Sequence, residues 1–246
     1  MRTIFYRHFQ SSGLCLATVV LILLVAPPVS SAQNGGYATN TPTYSVGGKS
    51  IAIPPLTREF VEVGTVNRKF LEVAVPDSNR LIASFVLTND LPSFTSGSNQ
   101  QLSRYAMLEV PRGGESADFS ASDFKAMTDG ANKELGNSIT STSKEMEEEY
   151  NRKVKALNLD AKASLDKPVS LGCLFSKQDA YGFGMLMSVT MHGTTTNMIN
   201  ASALVRVKNR LVFAYVYVIY RDQESLQWAR KAVEDWADAI LMANKE

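Results

Sequence analysis

Residues 210–220, RLVFAYVYVIY, decide the fold. Side chains of a β-strand point alternately to the two faces of a sheet, and in this stretch both alternating sets are apolar. A strand that is apolar on both faces usually lies in the middle of a sheet, with another layer packed on each side. The stretch therefore predicts a central strand with helices above and below it.

The flanking segments predict the neighbours of this strand. Residues 201–208 have strand character. The polar tripeptide KNR at 208–210 predicts a tight hairpin turn with Asn209 in the left-handed conformation. Residues 222–246 have helical periodicity, and Asp222 is a candidate N-cap. We therefore expect a long C-terminal amphipathic helix whose apolar stripe contains Leu226, Ala229, Val233, Trp236 and Ile240.

Strands dominate most of the remaining chain. Aliphatic runs bounded by Asn, Asp, Gly and Pro predict strands within 49–63, 79–90, 103–113, 168–176 and 181–192. Residues 122–157 instead have helical spacing with Ser122 as a candidate N-cap, and they form one long helix or two with a break near Gly136. The sequence does not decide the conformation of residues 64–78. The predicted fold class is α+β: an antiparallel sheet flanked by helices on both faces, an α/β/α sandwich.

The N-terminal residues predict export. Two arginines precede a 13-residue apolar run, Leu14 to Ala26, and prolines and small residues follow it. This is the layout of a secretory signal peptide, and the run is shorter than the about 20 residues that a membrane-spanning helix needs. We expect a signal peptide at 1–32, a flexible tether at 33–48 and a single domain at 49–246, located in the periplasm or outside the cell.

Charge restricts the partners. The chain has 25 Lys and Arg and 24 Asp and Glu, and loss of the leader would remove two arginines, leaving a net charge of about −1. Such a balance offers no long-range attraction for nucleic acid or anionic lipid. No later apolar run has the length of a transmembrane segment. We expect an envelope or secreted protein, or a small ligand, as partner, and no nucleic acid.

Cys173 and His192 are the only cysteine and histidine beyond the predicted leader. Cys173 belongs to the apolar alternation of its strand, whereas His192 belongs to the polar alternation of the next strand. This parity predicts a buried thiol and an imidazole on the opposite face, which argues against a Cys–His nucleophile or a shared metal site. A single cysteine also leaves no internal disulfide. We predict no catalytic residue, metal ligand or cofactor.

Aromatic side chains near the C-terminus are the candidates for a ligand or partner surface, because rings with a polar tip suit binding sites. They are Tyr215, Tyr217, Tyr220, Trp228 and Trp236. Their strand and helix spacing is equally that of core residues, so both interpretations stay open. Residues 200–202, Asn-Ala-Ser, are a formal N-glycosylation sequence.

Three segments, with the helical region between the first two, stand in an order known from another fold. They are SIAIPPLTREFVEVG at 50–64, RLVFAYVYVIY at 210–220 and WARKAVEDWADAIL at 228–241. In this order the chain resembles the PsbP-like and Mog-type Ran-binding fold over about residues 49–244. The resemblance implies an antiparallel sheet between helical layers. Members range from photosystem subunits to partners of a nuclear GTPase, so the resemblance implies no particular functional residue here.

Two functions remain from the sequence. The leader, the balanced charge and the shortage of catalytic side chains favour an exported accessory or binding protein that is not an enzyme and that works by protein contact or by holding a small ligand. The alternative is a carboxylate-based hydrolase of the cell envelope, for which two Asp or Glu side chains across a cleft suffice. Two inward carboxylates in a deep polar cleft would favour the hydrolase.

Overall fold

The computed structural model describes these residues: 41–64, 68, 71–96, 102–134, 139–156, 163–166, 168–191 and 193–245. The strands are β1 (Thr43–Val46), β2 (Lys49–Ala52), β3 (Phe60–Glu62), β4 (Asn79–Leu87), β5 (Arg104–Pro111), β6 (Ala163–Leu165), β7 (Val169–Ser176), β8 (Ala180–Met191), β9 (Thr194–Val207) and β10 (Arg210–Ile219). The helices are α1 (Leu91–Ser96), α2 (Ala121–Glu134), α3 (Ile139–Ala156) and α4 (Gln223–Ala243).

An antiparallel sheet of eight strands forms the middle layer, in the order β3-β4-β5-β10-β9-β8-β6, with β7 also paired to β8. Strands β1 and β2 form a separate hairpin. β9 pairs with one edge of β8 along the whole length of β8. Strands β6 and β7 therefore pair with different parts of the other edge of β8. β7 is therefore an edge strand with a single neighbour.

β10 is the central strand that its sequence predicts. It pairs with β5 on one side and with β9 on the other, and residues 210–218 are all buried. One face of the sheet packs against α4 and the β1–β2 hairpin, and the other packs against α2 and α3. The α+β sandwich with helices on both faces is thus confirmed.

The C-terminal helix and the turn before β10 are also confirmed. The Asp222 carboxylate caps α4 by accepting the Ser225 N–H at 2.8 Å. Lys208 and Asn209 both have left-handed backbone angles, with φ of 47° and 59°, as a two-residue hairpin turn requires. Within the described ranges, no helix has both the length and the apolar character needed to cross a membrane.

The helical region consists of two helices, α2 and α3, and the residues around Gly136 lie outside the described ones. The predicted cap at Ser122 is wrong, because α2 begins at Ala121. The Ser120 hydroxyl accepts the Asp123 N–H at 3.1 Å, and the Asp123 carboxylate accepts the Ser120 N–H at 3.2 Å. This reciprocal pair is a capping box that starts two residues earlier than the spacing of apolar residues indicated.

Strand β1, which starts at Thr43, lies within the stretch predicted to be a tether. Gly47 and Gly48, with φ of 51° and 78°, form the turn between β1 and β2. A Cβ on Gly47 would lie 2.1 Å from the Glu115 carbonyl oxygen, so the turn packs closely on the domain. The Gly-Gly pair therefore belongs to a packed hairpin. The predicted signal peptide lies outside the described residues.

Candidate functional site

The five predicted aromatic residues do not share one surface. Tyr215 and Tyr217 are buried on the face of the sheet that α2 and α3 cover. Trp236 is buried on the opposite face, with its ring edge-on to Phe85 at 5.8 Å and its Nε1 donating to the Pro54 carbonyl at 2.9 Å. The sheet therefore separates Trp236 from the two tyrosines.

The other two aromatic residues lie nearer the surface. Trp228 is half-buried, with its ring stacked on Phe60 at 6.4 Å and the Arg104 guanidinium 4.1 Å above it. Tyr220 follows the end of β10 and is 36% exposed. Trp228 is thus engaged by a ring contact and a cation–π contact from within the chain.

Tyr217 belongs to a closed polar cluster. Its ring stacks on Tyr105 at 4.5 Å, and it shares a hydrogen bond with Asn200, which also accepts from the Ser202 hydroxyl. Burial raises the pKa values of Tyr105 and Tyr217 well above the ordinary value, and burial raises the pKa of Tyr150, on α3, to about 12. These hydroxyls remain protonated at neutral pH, and the cluster is buried in the core.

Glu109 and Asn200 are among the buried polar residues on strands. Glu109, on the same face as Tyr105, is 0% exposed, and its carboxylate accepts from the Asn79 amide at 2.8 Å. Asn200 of the glycosylation sequence is also 0% exposed, so the folded protein cannot present it to an enzyme that attaches a glycan. In the sequence, Glu109 is a single acidic residue within an apolar strand, and it is not among the predicted site residues.

Cys173 is exposed, and the prediction of a buried thiol is wrong. The pairing of β7 with β8 has register shifts between Ser170 and Gly172 and again between Cys173 and Phe175. Gly172, with φ of 76°, turns the backbone between them. These irregularities break the alternation of faces on which the prediction depended. His192 lies outside the described residues.

The open concave site lies at one end of the sheet, where the β9–β10 turn, the β1–β2 hairpin and the C-terminal end of α4 meet. We call it the turn-end cleft. Its larger lobe has a volume of about 530 Å³, and its smaller lobe has about 450 Å³. Both lobes share Lys208, Asn209 and Asn244; Lys49 completes the smaller lobe, and Lys177, Arg206, Met242 and Lys245 are among the residues of the larger one.

Asn244 holds the walls of the cleft together. Its side-chain oxygen accepts the Ala52 N–H at 2.9 Å, and its Nδ2 donates to the Ala52 carbonyl at 2.7 Å and to the Ile240 carbonyl at 2.8 Å. One buried amide therefore ties β2 to the last turn of α4. From the β9–β10 turn, Lys208 Nζ donates to the Ser50 carbonyl at 3.0 Å.

Four charged residues of the larger lobe, Lys177, Asp179, Arg206 and Asp238, form ion pairs. Arg206 Nε donates to Asp179 at 2.8 Å, and Lys177 Nζ lies 2.7 Å from Asp238 and 2.9 Å from Glu234. Burial opposes the charge of Lys177, but its hydrogen bonds to Asp238 and Glu234 outweigh this effect and raise its pKa. The two carboxylates that line the lobe are thus each engaged by a cation of the same wall.

Both lobes have an excess of positive charge, because Lys49 lines the smaller lobe, Lys245 lines the larger lobe and Lys208 lines both. Lys49 and Lys245 are exposed, Lys208 is half-buried, and none of the three has a carboxylate partner within the part of the chain that the structure describes. No sequence pattern indicates this arrangement, because the three lysines come from distant segments. The chemistry available here is electrostatic attraction of an anion and N–H donation to it.

The described residues contain no group of three or more His, Cys, Asp or Glu side chains placed to hold a metal ion. Gly182 lies against the Phe175 ring, where a Cβ would be 2.2 Å from a ring carbon. Neither feature adds a second site.

Comparison with known proteins gives only a weak similarity of fold. A scan of protein-family models and a search of curated proteins both find no match. Among solved structures, the Saccharomyces cerevisiae Ran-binding protein Mog1p matches at 12% identity and TM-score 0.26, covering 80% of this chain and 86% of that one. A Mog1 mutant matches at 13% identity and TM-score 0.28, covering 80% and 88%. Neither of these two structures bears on the PsbP-like part of the resemblance.

Proposed function

We propose that this chain is an exported accessory or binding protein that is not an enzyme, and that it holds an anionic group of a ligand or partner protein in the turn-end cleft. One observation carries the proposal: Lys49, Lys208 and Lys245 surround a concave surface without a described carboxylate to neutralise them. An incoming carboxylate or phosphate can accept hydrogen bonds from these ammonium groups.

The rigidity of the cleft supports a binding role. The amide of Asn244 fixes β2 against α4, and Lys208 is already oriented by its bond to the Ser50 carbonyl. A site whose walls are in place before the ligand arrives loses less conformational entropy on binding. Charge-assisted hydrogen bonds contribute about 1.5–3 kcal/mol each where they are partly shielded from water.

The pairing of the cleft carboxylates favours binding over hydrolysis. Asp179 is held by Arg206, and Asp238 is held by Lys177. A glycosidase-type hydrolase needs two carboxyl groups that face the substrate across the cleft, whereas both carboxyl groups of this cleft are held in ion pairs with cations of their own wall. Support for export comes from the leader-like residues 1–32.

A titration with simple anions tests the proposal. Amide NMR spectra of the isotope-labelled protein are followed during addition of glutarate or inorganic phosphate, with choline chloride at the same ionic strength as reference. We expect saturable shifts at Lys208 and Asn209 with a dissociation constant in the millimolar range. Lys208→Gln should weaken binding several-fold.

Lys231→Gln is the matched control. Lys231 is an exposed lysine of α4 that does not line the cleft and is paired with Asp235 at 2.8 Å. Its loss should leave the anion affinity unchanged. Shifts that grow linearly, or that choline chloride reproduces, would remove the proposal.

A further inference from the structure

We infer that the natural occupant of the turn-end cleft is a peptide segment of a partner protein in which an acidic residue lies close to a large aliphatic side chain. This inference rests on the proposed function and adds the chemistry of the partner. It follows from a difference between the two lobes: the smaller lobe has charged and amide walls alone, whereas the larger lobe also has an exposed apolar surface beside two ion pairs.

The smaller lobe selects for the acidic group. Its walls are Lys49, Lys208, Asn209 and Asn244, so its only charges are positive. The Asn209 oxygen accepts from Arg206 Nη1 at 2.9 Å, which leaves the amide nitrogen of this exposed side chain as a donor towards the cleft. Both amide atoms of Asn244 are used within the fold. A carboxylate is a suitable acceptor for two ammonium groups and one amide.

The larger lobe selects for the apolar group. Met242, at 68%, is the most exposed large apolar side chain in the described part of the chain, and it lies in this lobe beside Leu241. Arg206–Asp179 and Lys177–Asp238 form ion pairs in this lobe, so four of its charged groups are already engaged with one another. A flexible thioether packs well against aliphatic side chains of different shapes.

The shape of the cleft favours a peptide over a membrane surface. The walls of a concave site can contact an extended chain that enters it on more sides than a flat array of lipid headgroups. The two lobes, at about 530 and 450 Å³, are each in the range of ligand pockets and together exceed what one small anion fills.

Fluorescence anisotropy with three labelled peptides of equal length tests the inference. One peptide contains Glu followed by Leu in a Gly-Ser background, the second contains the Glu alone, and the third contains the Leu alone. We expect the first to bind about tenfold more tightly than the second, since partial burial of one aliphatic side chain is worth about that factor. The third should show no saturable binding.

Two variants assign the lobes. Met242→Ser should reduce the preference for Glu-Leu over Glu from about tenfold to about twofold and leave the Glu peptide unchanged. Lys208→Gln should weaken both Glu-containing peptides by a similar factor. The controls are Lys231→Gln and Val169→Ser, because Val169 is 59% exposed on β7 and does not line the cleft.

The outcomes separate this inference from the function on which it rests. Equal binding of the two Glu peptides, or a Glu-Leu preference that survives Met242→Ser, overturns the peptide inference while anion binding stands. Absence of saturable shifts with glutarate and phosphate removes the proposed function as well. Binding to phosphatidylglycerol vesicles that Lys208→Gln abolishes, with no peptide binding, would replace the peptide by a membrane.

Discussion

β10 and β7 are both strands with apolar residues at alternating positions, yet their local structures are very different. β10 follows that pattern without interruption because it is hydrogen-bonded to β5 and β9 along its length. β7 is bonded only to β8, and its register shifts twice within eight residues. Two neighbours impose a regular pleat, whereas one neighbour leaves room for bulges.

The burial of β7 shows the consequence. Leu174 and Phe175 are consecutive residues, yet both are buried in the layer beneath α4. A regular strand would point them to opposite faces. Bulges bend and twist an edge strand away from further pairing, and this is one way in which proteins protect an open sheet edge. The irregularity of β7 is therefore consistent with its position at the edge.

Replacing one valine by alanine in each strand should give the largest difference in the free energy of unfolding. Val216 on β10 is 0% exposed and Val169 on β7 is 59% exposed. Val216→Ala removes two buried methyl groups and leaves a cavity between packed layers, so we expect it to lower the free energy of unfolding by about 2–3 kcal/mol. Val169→Ala should change it by less than about 0.5 kcal/mol.

Chemical denaturation of both variants measures this contrast, with the slope of unfolding free energy against denaturant as a check that the unfolded states are comparable. Similar losses in the two variants would contradict the assignment of β10 to the centre and β7 to the edge.

Backbone strain in the bulge predicts an effect of intermediate size. Gly172 has φ of 76°, and a Cβ there would have no atom within 4 Å, so Gly172→Ala probes the backbone angle alone. We expect a loss of about 1–2 kcal/mol, the cost of a left-handed residue with a side chain. Gly130 on α2 is the matched control, because it also has open space and no positive φ. Gly130→Ala should stabilise the protein by up to about 1 kcal/mol. A neutral Gly172→Ala would mean that β7 readily loses its bulge.

The difference between the two strands also explains which features the sequence predicts. The central strand, the Lys208–Asn209 turn and the Asp222 cap depend on contacts within short segments, and all three are confirmed. The face of the sheet to which the Cys173 side chain points depends on how β7 pairs with β8, and the sequence of β7 alone does not indicate this pairing. The cleft depends on still longer-range contacts, because its lysines come from the first hairpin, the last turn and the C-terminus.

The β1–β2 hairpin is a second peripheral element, and side chains rather than the main sheet hold it. Arg80 donates from Nε to Glu115 at 3.1 Å, and Glu115 accepts the Gly47 N–H at 3.2 Å. The hydrogen bond from Arg80 keeps the pKa of Glu115 below its ordinary value. A carboxyl whose pKa is lower in the folded state stabilises the protein above its unfolded pKa, and the contribution is lost as pH falls through the folded value.

Glu115→Gln should therefore make stability less dependent on pH in the acid range. Between about pH 5 and pH 3, we expect the free energy of unfolding of the original protein to fall more steeply than that of the variant. The two curves should differ by less than about 1 kcal/mol, because both side chains are partly exposed to solvent. Asp77, whose pKa is also lowered, contributes equally to both curves. Parallel curves would show that the pair does not hold the hairpin.

Thiol labelling gives the smallest expected change and bears most directly on the edge strand. Cys173 is exposed, and its Sγ lies 3.4 Å from the Phe175 carbonyl oxygen within the bulge. Because the rate of labelling follows exposure of the thiolate, the native protein should react with a maleimide or an aromatic disulfide within about tenfold of the rate of the unfolded protein. A buried thiol would instead react only as fast as the domain opens, which lowers the rate by several orders of magnitude in a stable protein. Slow native labelling would place Cys173 on the inner face, and β7 would then follow the same regular alternation as β10.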